Sequence, residues 1–341
     1  MSDGLDKQMN DDFQFHVRTD DSLEIDHSFA GDSFFKAGIK RFLAKKSNVF
    51  GLALLCFLMV MSLIGPYLSG HNYAEQNLER ANMAPRIPGL LSGEEKLSGT
   101  EGQILVNRYE DLGLQDVYYP FGTDGLGRDL FSRCFQGLRV SVLIALAAAL
   151  TDLVIGVNYG MISGYLGGKT DLIMQQIVDI AGSIPSLVIV TLLMLVLKPG
   201  VGTIIFALML TGWMEMSIIA RTQVLRLKDQ EFVQAARTLG ANSAFILFRE
   251  ILPNVTGTLI TQIMVSIPGA IFLETFLSFV GLGLPLGSCS LGQLISEGFA
   301  NCLLHPYKLL PCMVILVLLM IACNLVADGL REAFDTRSVR C

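Results

Sequence analysis

"EFVQAARTLGANSAFILFREILPN", residues 231–254, is a charged, alanine-rich stretch set between two long apolar runs. Phe232, Ala235, Ala236 and Leu239 recur at i, i+3, i+4 and i+7, so they share one face of a helix. Gly240 permits the left-handed turn that commonly ends a helix. Ser243 is placed to cap a second helix that carries Phe245, Phe248 and Leu252 inward. Pro253 is expected to stop it, because proline cannot continue the hydrogen-bond ladder. Spacing leaves two uses open: the small alanines admit a partner's backbone, or the face packs beneath the chain's own bundle.

The surroundings of that stretch are membrane-like. Of 341 residues, 52% are hydrophobic and only 16% charged, against about 25% charged in soluble domains. Mean hydropathy is +0.52. A bilayer core needs ~20 consecutive apolar residues in a helix. Such runs lie at Val49 to Leu68 and at roughly 140–162, 173–197, 203–220, 255–280 and 307–327, which makes six spans. The expected fold is all-α and integral to a membrane. No cleavable signal peptide is expected, since the first 47 residues are polar.

Lysine and arginine in short flanks set the orientation. Lys36, Lys40, Arg41, Lys45 and Lys46 put the N-terminus in the cytoplasm. Arg221, Arg226, Lys228, Arg237 and Arg249 put 221–253 on the same side, as Arg331, Arg337 and Arg340 do for the tail 328–341. Residues 281–306 contain no Lys or Arg and belong outside. So does the long, irregular segment 69–138, expected to end in a short helix that feeds span two. Residues 1–33 are polar, acidic and expected to be disordered. In 34–47, Phe35, Ile39, Phe42 and Leu43 share a face opposite lysines, as in a helix lying in the interface or a plain basic flank.

Gln234-Ala235-Ala236, then Gly240, then Leu252-Pro253 resembles the EAA loop of ABC-importer membrane subunits. That motif reads Glu-Ala-Ala, three residues, Gly, nine residues, Ile, one residue, Leu-Pro. Here Gln234 replaces the Glu, and Glu250 stands at the Ile position with Ile251 one step later. "FGTDGLGRDLFSR" at 121–133, "ETFLSFVGLGL" at 274–284 and "NLVADGLREAFDTR" at 324–337 look like the dipeptide/oligopeptide/nickel permease family, in particular its second membrane subunit. Met216, Ile218 and Leu291 depart from that family's usual Tyr, Arg and Trp. The resemblance covers most of 34–337. It implies a type I permease bundle in a bacterial inner membrane, working with a sister permease, two cytoplasmic ATPases and an extracytoplasmic binding protein. Residues 231–253 would then be the coupling element seated in an ATPase. ATP and Mg would belong to those partner subunits. The implied cargo is short peptides, with nickel chelates or oligosaccharides as alternatives; an ion-driven secondary transporter lacks the expected inverted repeat.

No phosphate-binding G-x-x-x-x-G-K-[ST] occurs, the four histidines are isolated, and neither metal ligation nor nucleic-acid binding is suggested. No catalysis is expected in this polypeptide. Charges within spans are costly and mark candidate sites. Glu274 in span five leads, followed by Glu215 in span four and Asp152 in span two, each lining a wet path or tying helices together. Pro185 and Pro268-Gly269 should kink spans three and five. Cys56, Cys312 and Cys323 read as small hydrophobes. Cys134, Cys289 and Cys302 are expected to face outward, where a disulfide among them is open.

Overall fold

The computed structural model describes residues 34–99, 102–114, 116–284 and 289–334. The expected disordered tail 1–33 and residues 335–341 of the C-terminal tail lie outside them. Residues 1–41 and 42–341 form two units. Within 34–47 a helix runs Phe34–Ala44.

Among the described residues, five helices are long and apolar enough to cross a bilayer: Lys46–Leu68, Leu130–Leu166, Val201–Leu227, Ser243–Phe279 and Pro306–Phe334, here spans one, two, four, five and six. Gly168–Gly182 and Ser186–Val196, bent by 71°, make up span three when counted as one crossing. The bend falls where Pro185 was expected to kink the chain: proline has no N–H to continue the ladder and disfavours helical geometry in the residue before it. At Pro268-Gly269 the helix Leu252–Phe279 is not interrupted. There Pro268 is itself buried among neighbouring spans, which tolerate the freed carbonyl.

Span two begins at Leu130, nearly three turns earlier than hydropathy places it. Asp129 caps it, accepting from the N–H groups of Phe131 at 3.2 Å and Ser132 at 3.1 Å. Polar Ser132 and Arg133 hid this turn from the hydropathy pattern, yet both are buried and bonded. The preceding segment is less irregular than expected. It carries two hairpins, Arg86–Ile87 with Leu91–Ser92 and Glu95–Gly99 with Gly102–Val106, so the all-α description holds for the membrane part. Met83, Tyr109 and Tyr119 form its small core. Tyr109 donates to the Ala84 carbonyl at 2.8 Å, and burial raises its hydroxyl well above the ordinary tyrosine value. Lys308 Nζ donates to Asn82 Oδ1 at 2.5 Å, stapling this segment to the start of span six.

The cysteine reading needs correction. Cys134 and Cys289 are buried, all six described cysteines are free, and Cys302 is half-buried. Cys134 Sγ lies 2.9 Å from Cys312 Sγ, across spans two and six. The early start of span two carries Cys134 into the bundle.

Where span two meets span four, Gly156, Gly160 and Gly164 follow at intervals of four. A Cβ added to Gly160 would collide with the Ser217 carbonyl and lie 2.9 Å from Ala220 Cβ. At Gly164 it would meet the Arg221 carbonyl at 2.9 Å, and at Gly156 the Trp213 carbonyl at 2.6 Å. Lipid tails are as apolar as leucine, so helices in a bilayer gain from close van der Waals fit rather than hydrophobic burial. Glycine provides that fit.

Gly160→Leu should separate spans two and four and lower the stability of the purified protein by about 1–3 kcal/mol or more. Gly202→Ala, where nothing lies within 4 Å, should leave it unchanged; equal melting temperatures for the two variants would refute the close fit. Burial pushes the Cys289 thiol up to about 12, so maleimide at pH 8 should modify it only after unfolding, as mass spectrometry of the two states would show.

Candidate functional site

The helix Glu231–Thr238 closes as a Schellman turn: Ala241 N–H donates to the Ala236 carbonyl and Gly240 N–H to the Arg237 carbonyl, each at 3.0 Å. Gly240 has φ +84°, the left-handed conformation the sequence assigned to it. The second helix is capped by Asn242, not Ser243, with Asn242 Oδ1 accepting from Phe245 N–H at 2.7 Å. Asparagine reaches the third amide as well as serine does, and the chain turns one residue earlier.

Pro253 does not stop the second helix. Ser243–Phe245, a π turn Ile246–Ile251 and Leu252–Phe279 run on as one span. A π turn bonds i to i+5 and holds one residue more than an α turn. It lies directly before Pro253, where an α ladder would need the missing N–H and clash with the carbonyl four residues back. The extra residue also shifts the facing of side chains. Ile246, Leu247 and Ile251 point inward, while Phe245 and Phe248 are exposed, opposite to the expectation.

Val233 is fully buried and Ala236 half-buried, seated among Val157 and Met161 of span two, Met216 and Val224 of span four and Ile251 and Val255 of span five. Gln234 and Ala235 are exposed, as is Gly240, beside which a Cβ would meet nothing. Leu252 is half-buried and Pro253 exposed. The predicted apolar face is therefore divided: Ala236 contributes to the seat, while Phe232 at 38% and Leu239 at 87% exposure project outward. Arg237 stacks over the Tyr165 ring at 5.3 Å.

Beside this element, Arg221 Nε and NH2 donate to the two oxygens of Asp171 at 2.6 and 2.7 Å, and Ser163 Oγ donates to Asp171 Oδ1 at 2.6 Å. Lys228 Nζ donates to the Gly164 carbonyl at 3.3 Å. Spans two, three and four are thus pinned together at the end where the two helices leave the bundle. The sequence reading missed this pin, whose partners stand 50 residues apart. It also missed the glycine seam, although a small-residue repeat at every fourth position is a visible signal.

The three acids do not form one site: Glu215 and Asp152 are neighbours across spans four and two, and Glu274 stands apart from them. Glu274 is fully buried, accepting from Ser141 Oγ at 2.9 Å and Ser278 Oγ at 3.1 Å. Glu215 is exposed and accepts from Gln262 Nε2 at 3.1 Å. Asp152 begins a π turn in span two and is buried, with Oδ1 unpartnered and close against Gly212. A cavity of about 590 Å³ opens between spans four, five and six, lined by Gln223, Arg226, Thr258, Thr261, Gln262 and Arg331 among others. At the opposite end of the bundle, Asp124 holds both Arg128, at 2.7 Å, and fully buried Arg133, which also reaches Glu297 at 3.1 Å. The motif "FGTDGLGRDLFSR" contributes most of that network.

Residues 156–340 match the family described as binding-protein-dependent transport system inner membrane component, and residues 33–85 match the N-terminal TM domain of oligopeptide transport permease C. The chain is 38% identical over 305 residues to the oligopeptide transport system permease protein OppC of Bacillus subtilis, covering 89% of this chain and 90% of that protein. It is 39% identical over 314 residues to the dipeptide transport system permease protein DppC of Lactococcus lactis subsp. cremoris, covering 90% and 91%. Among solved structures, a chain of the inward-facing MetNI methionine ABC transporter aligns with a TM-score of 0.49 at 17% identity, over 59% of this chain and 96% of that one.

Arg221→Gln should strand Asp171 without its cation. The expected loss is about 1–2 kcal/mol of stability, the scale of charge-assisted hydrogen bonds discounted for partial exposure. Adding Asp171→Asn should recover part of it, so that the double variant melts above the sum of the singles; strict additivity would show the pair to be idle.

Proposed function

This chain belongs to the family of binding-protein-dependent transport system inner membrane components, and from that premise we propose that it forms, with a sister permease, the pathway of an ABC importer for short peptides. The peptide cargo follows the oligopeptide and dipeptide permeases to which it is similar over nine-tenths of its length. Of two cytoplasmic ATPases, one holds residues 231–253, and an extracytoplasmic binding protein delivers cargo at the end bearing 69–129. ATP and Mg reside in the ATPases. The chain sits in the bacterial inner membrane with both termini in the cytoplasm, the orientation its basic flanks favour.

The observation that carries this reading is the division of the helix Glu231–Thr238. One face is rooted in spans two, four and five through Val233, and the other leaves Phe232 and Leu239 outside. An apolar helix face projecting into water suits a groove on a partner. Gln234, Ala235, Ala236 and Gly240 keep the element slender, while Leu252 and Pro253 follow the π turn through which the second helix runs on into span five. When the ATPases close on their nucleotide, the helix moves as a rigid body and spans four and five follow. Glu274 is a hydrogen-bonded hub joining spans two and five, and Glu215 and Asp152 lie where spans two, four and five meet.

Gly240→Val places a β-branched residue in the left-handed region, at a cost of about 1–2 kcal/mol. In proteoliposomes holding the sister permease, the ATPases and the binding protein, this variant should hydrolyse ATP while uptake falls several-fold. Uptake at the unmodified rate would remove the coupling role from 231–253.

A further inference from the structure

We propose that the cavity between spans four, five and six is charge-polarised to seat an extended zwitterionic peptide, its carboxylate at Arg226 and Arg331 and its ammonium at Glu215. This rests on the peptide reading above and adds where this chain recognises the two ends of the cargo.

On span four, Glu215, Ile219, Gln223 and Arg226 follow at i, i+4, i+8 and i+11, a single stripe along the helix. The last three line the cavity. Glu215 adjoins it through the 3.1 Å hydrogen bond from Gln262, itself a lining residue. Arg226 and Arg331 are the charged members of the lining. Among the described residues neither guanidinium has an ion pair, whereas Arg128, Arg133 and Arg221 each hold a carboxylate. A guanidinium is a planar fork that takes a carboxylate through two hydrogen bonds.

Eleven residues of helix rise about 16 Å. An extended peptide covers that distance in about four or five residues. Gln223, Thr258 and Thr261 lie along the way and offer hydrogen bonds to a peptide backbone without selecting its side chains. The arrangement therefore reads the ends of the cargo and its length, and leaves the sequence between them free. Were the two arginines only a basic flank near lipid phosphates, transport would be indifferent to the chemistry of the cargo's ends.

The test is ATP-driven uptake of tetra-alanine, its C-terminal amide and its N-acetyl form by the full reconstituted complex. Each variant is compared with the unmodified chain against the same binding protein, so that protein's own preference cancels. Arg226→Gln with Arg331→Gln should lower the preference for free over amidated peptide about tenfold, the scale of one lost charge-assisted hydrogen bond. Glu215→Gln should lower the preference for free over acetylated peptide and leave the amide ratio alone. Arg226→Lys with Arg331→Lys should retain most of the discrimination. Unchanged ratios in the glutamine variants would overturn the proposal, as would loss of the sister permease on purification from both the glutamine and lysine pairs. Failure of the unmodified complex to take up any of the three peptides would instead overturn the peptide reading beneath it.

Discussion

The backbone-to-backbone contact of Gly156, Gly160 and Gly164 with span four is the constraint on which the other parts depend. Within a bilayer there is no water to expel, so a helix pair is held by closeness alone. Three glycines on one face bring span two against the carbonyls of Trp213, Ser217 and Arg221. Methyl groups there would push the pair apart and dissolve the packing around Val157, Met161, Met216 and Val224. That packing is also the seat of Val233. A projecting helix can transmit force only if its root is rigid, and the root is built on this seam. Asp171 and Arg221 close it at the end where solvent begins.

The far end of the bundle is held likewise. Asp124, Arg128, Arg133 and Glu297 add a buried network to the apolar packing of Cys134, Phe135, Leu291 and Leu294. An isolated charge there would be expensive, and a paired one is tolerated because each partner meets the other's needs. The network joins the segment before span two to the helix Leu291–Ala300, and Lys308 with Asn82 adds a second tie. Both ends of the bundle thus combine polar pairing with close glycine contact, Asp171 with Arg221 beside Gly164 at one and the Asp124 network beside Gly137 and Gly298 at the other.

Much of this was readable from the chain, and the failures share a cause. Spans one, four, five and six stood out because hydropathy is a local property. Gly240 and Pro185 stood out because the backbone they require is written in the residue itself. Span two was clipped because Arg133 looked too polar to be inside, and only its distant partners Asp124 and Glu297 make it otherwise. Cys134 was assigned outward for the same reason, since its neighbour Cys312 lies 178 residues away. Phe245 and Phe248 are turned outward because Ile246, Leu247 and Ile251 take the inward places, and apolar character alone does not say which residues do so. Of the site, the two-helix element was legible, whereas the stripe Glu215–Arg226 became meaningful only once spans five and six stood opposite it.

The π turn Ile246–Ile251 has a bearing on how such a lever can change over generations. Because it contains one residue beyond the regular winding, it is a place where the gene can lose a single codon without rotating everything downstream. The shortened helix would rewind to ordinary pitch and keep its neighbours in phase, provided Pro253 were replaced in the same lineage. Elsewhere in span five, a loss of one residue would swing the remaining side chains by about 100° around the axis. This short slack segment thus makes the start of span five the part of it most open to drift in length.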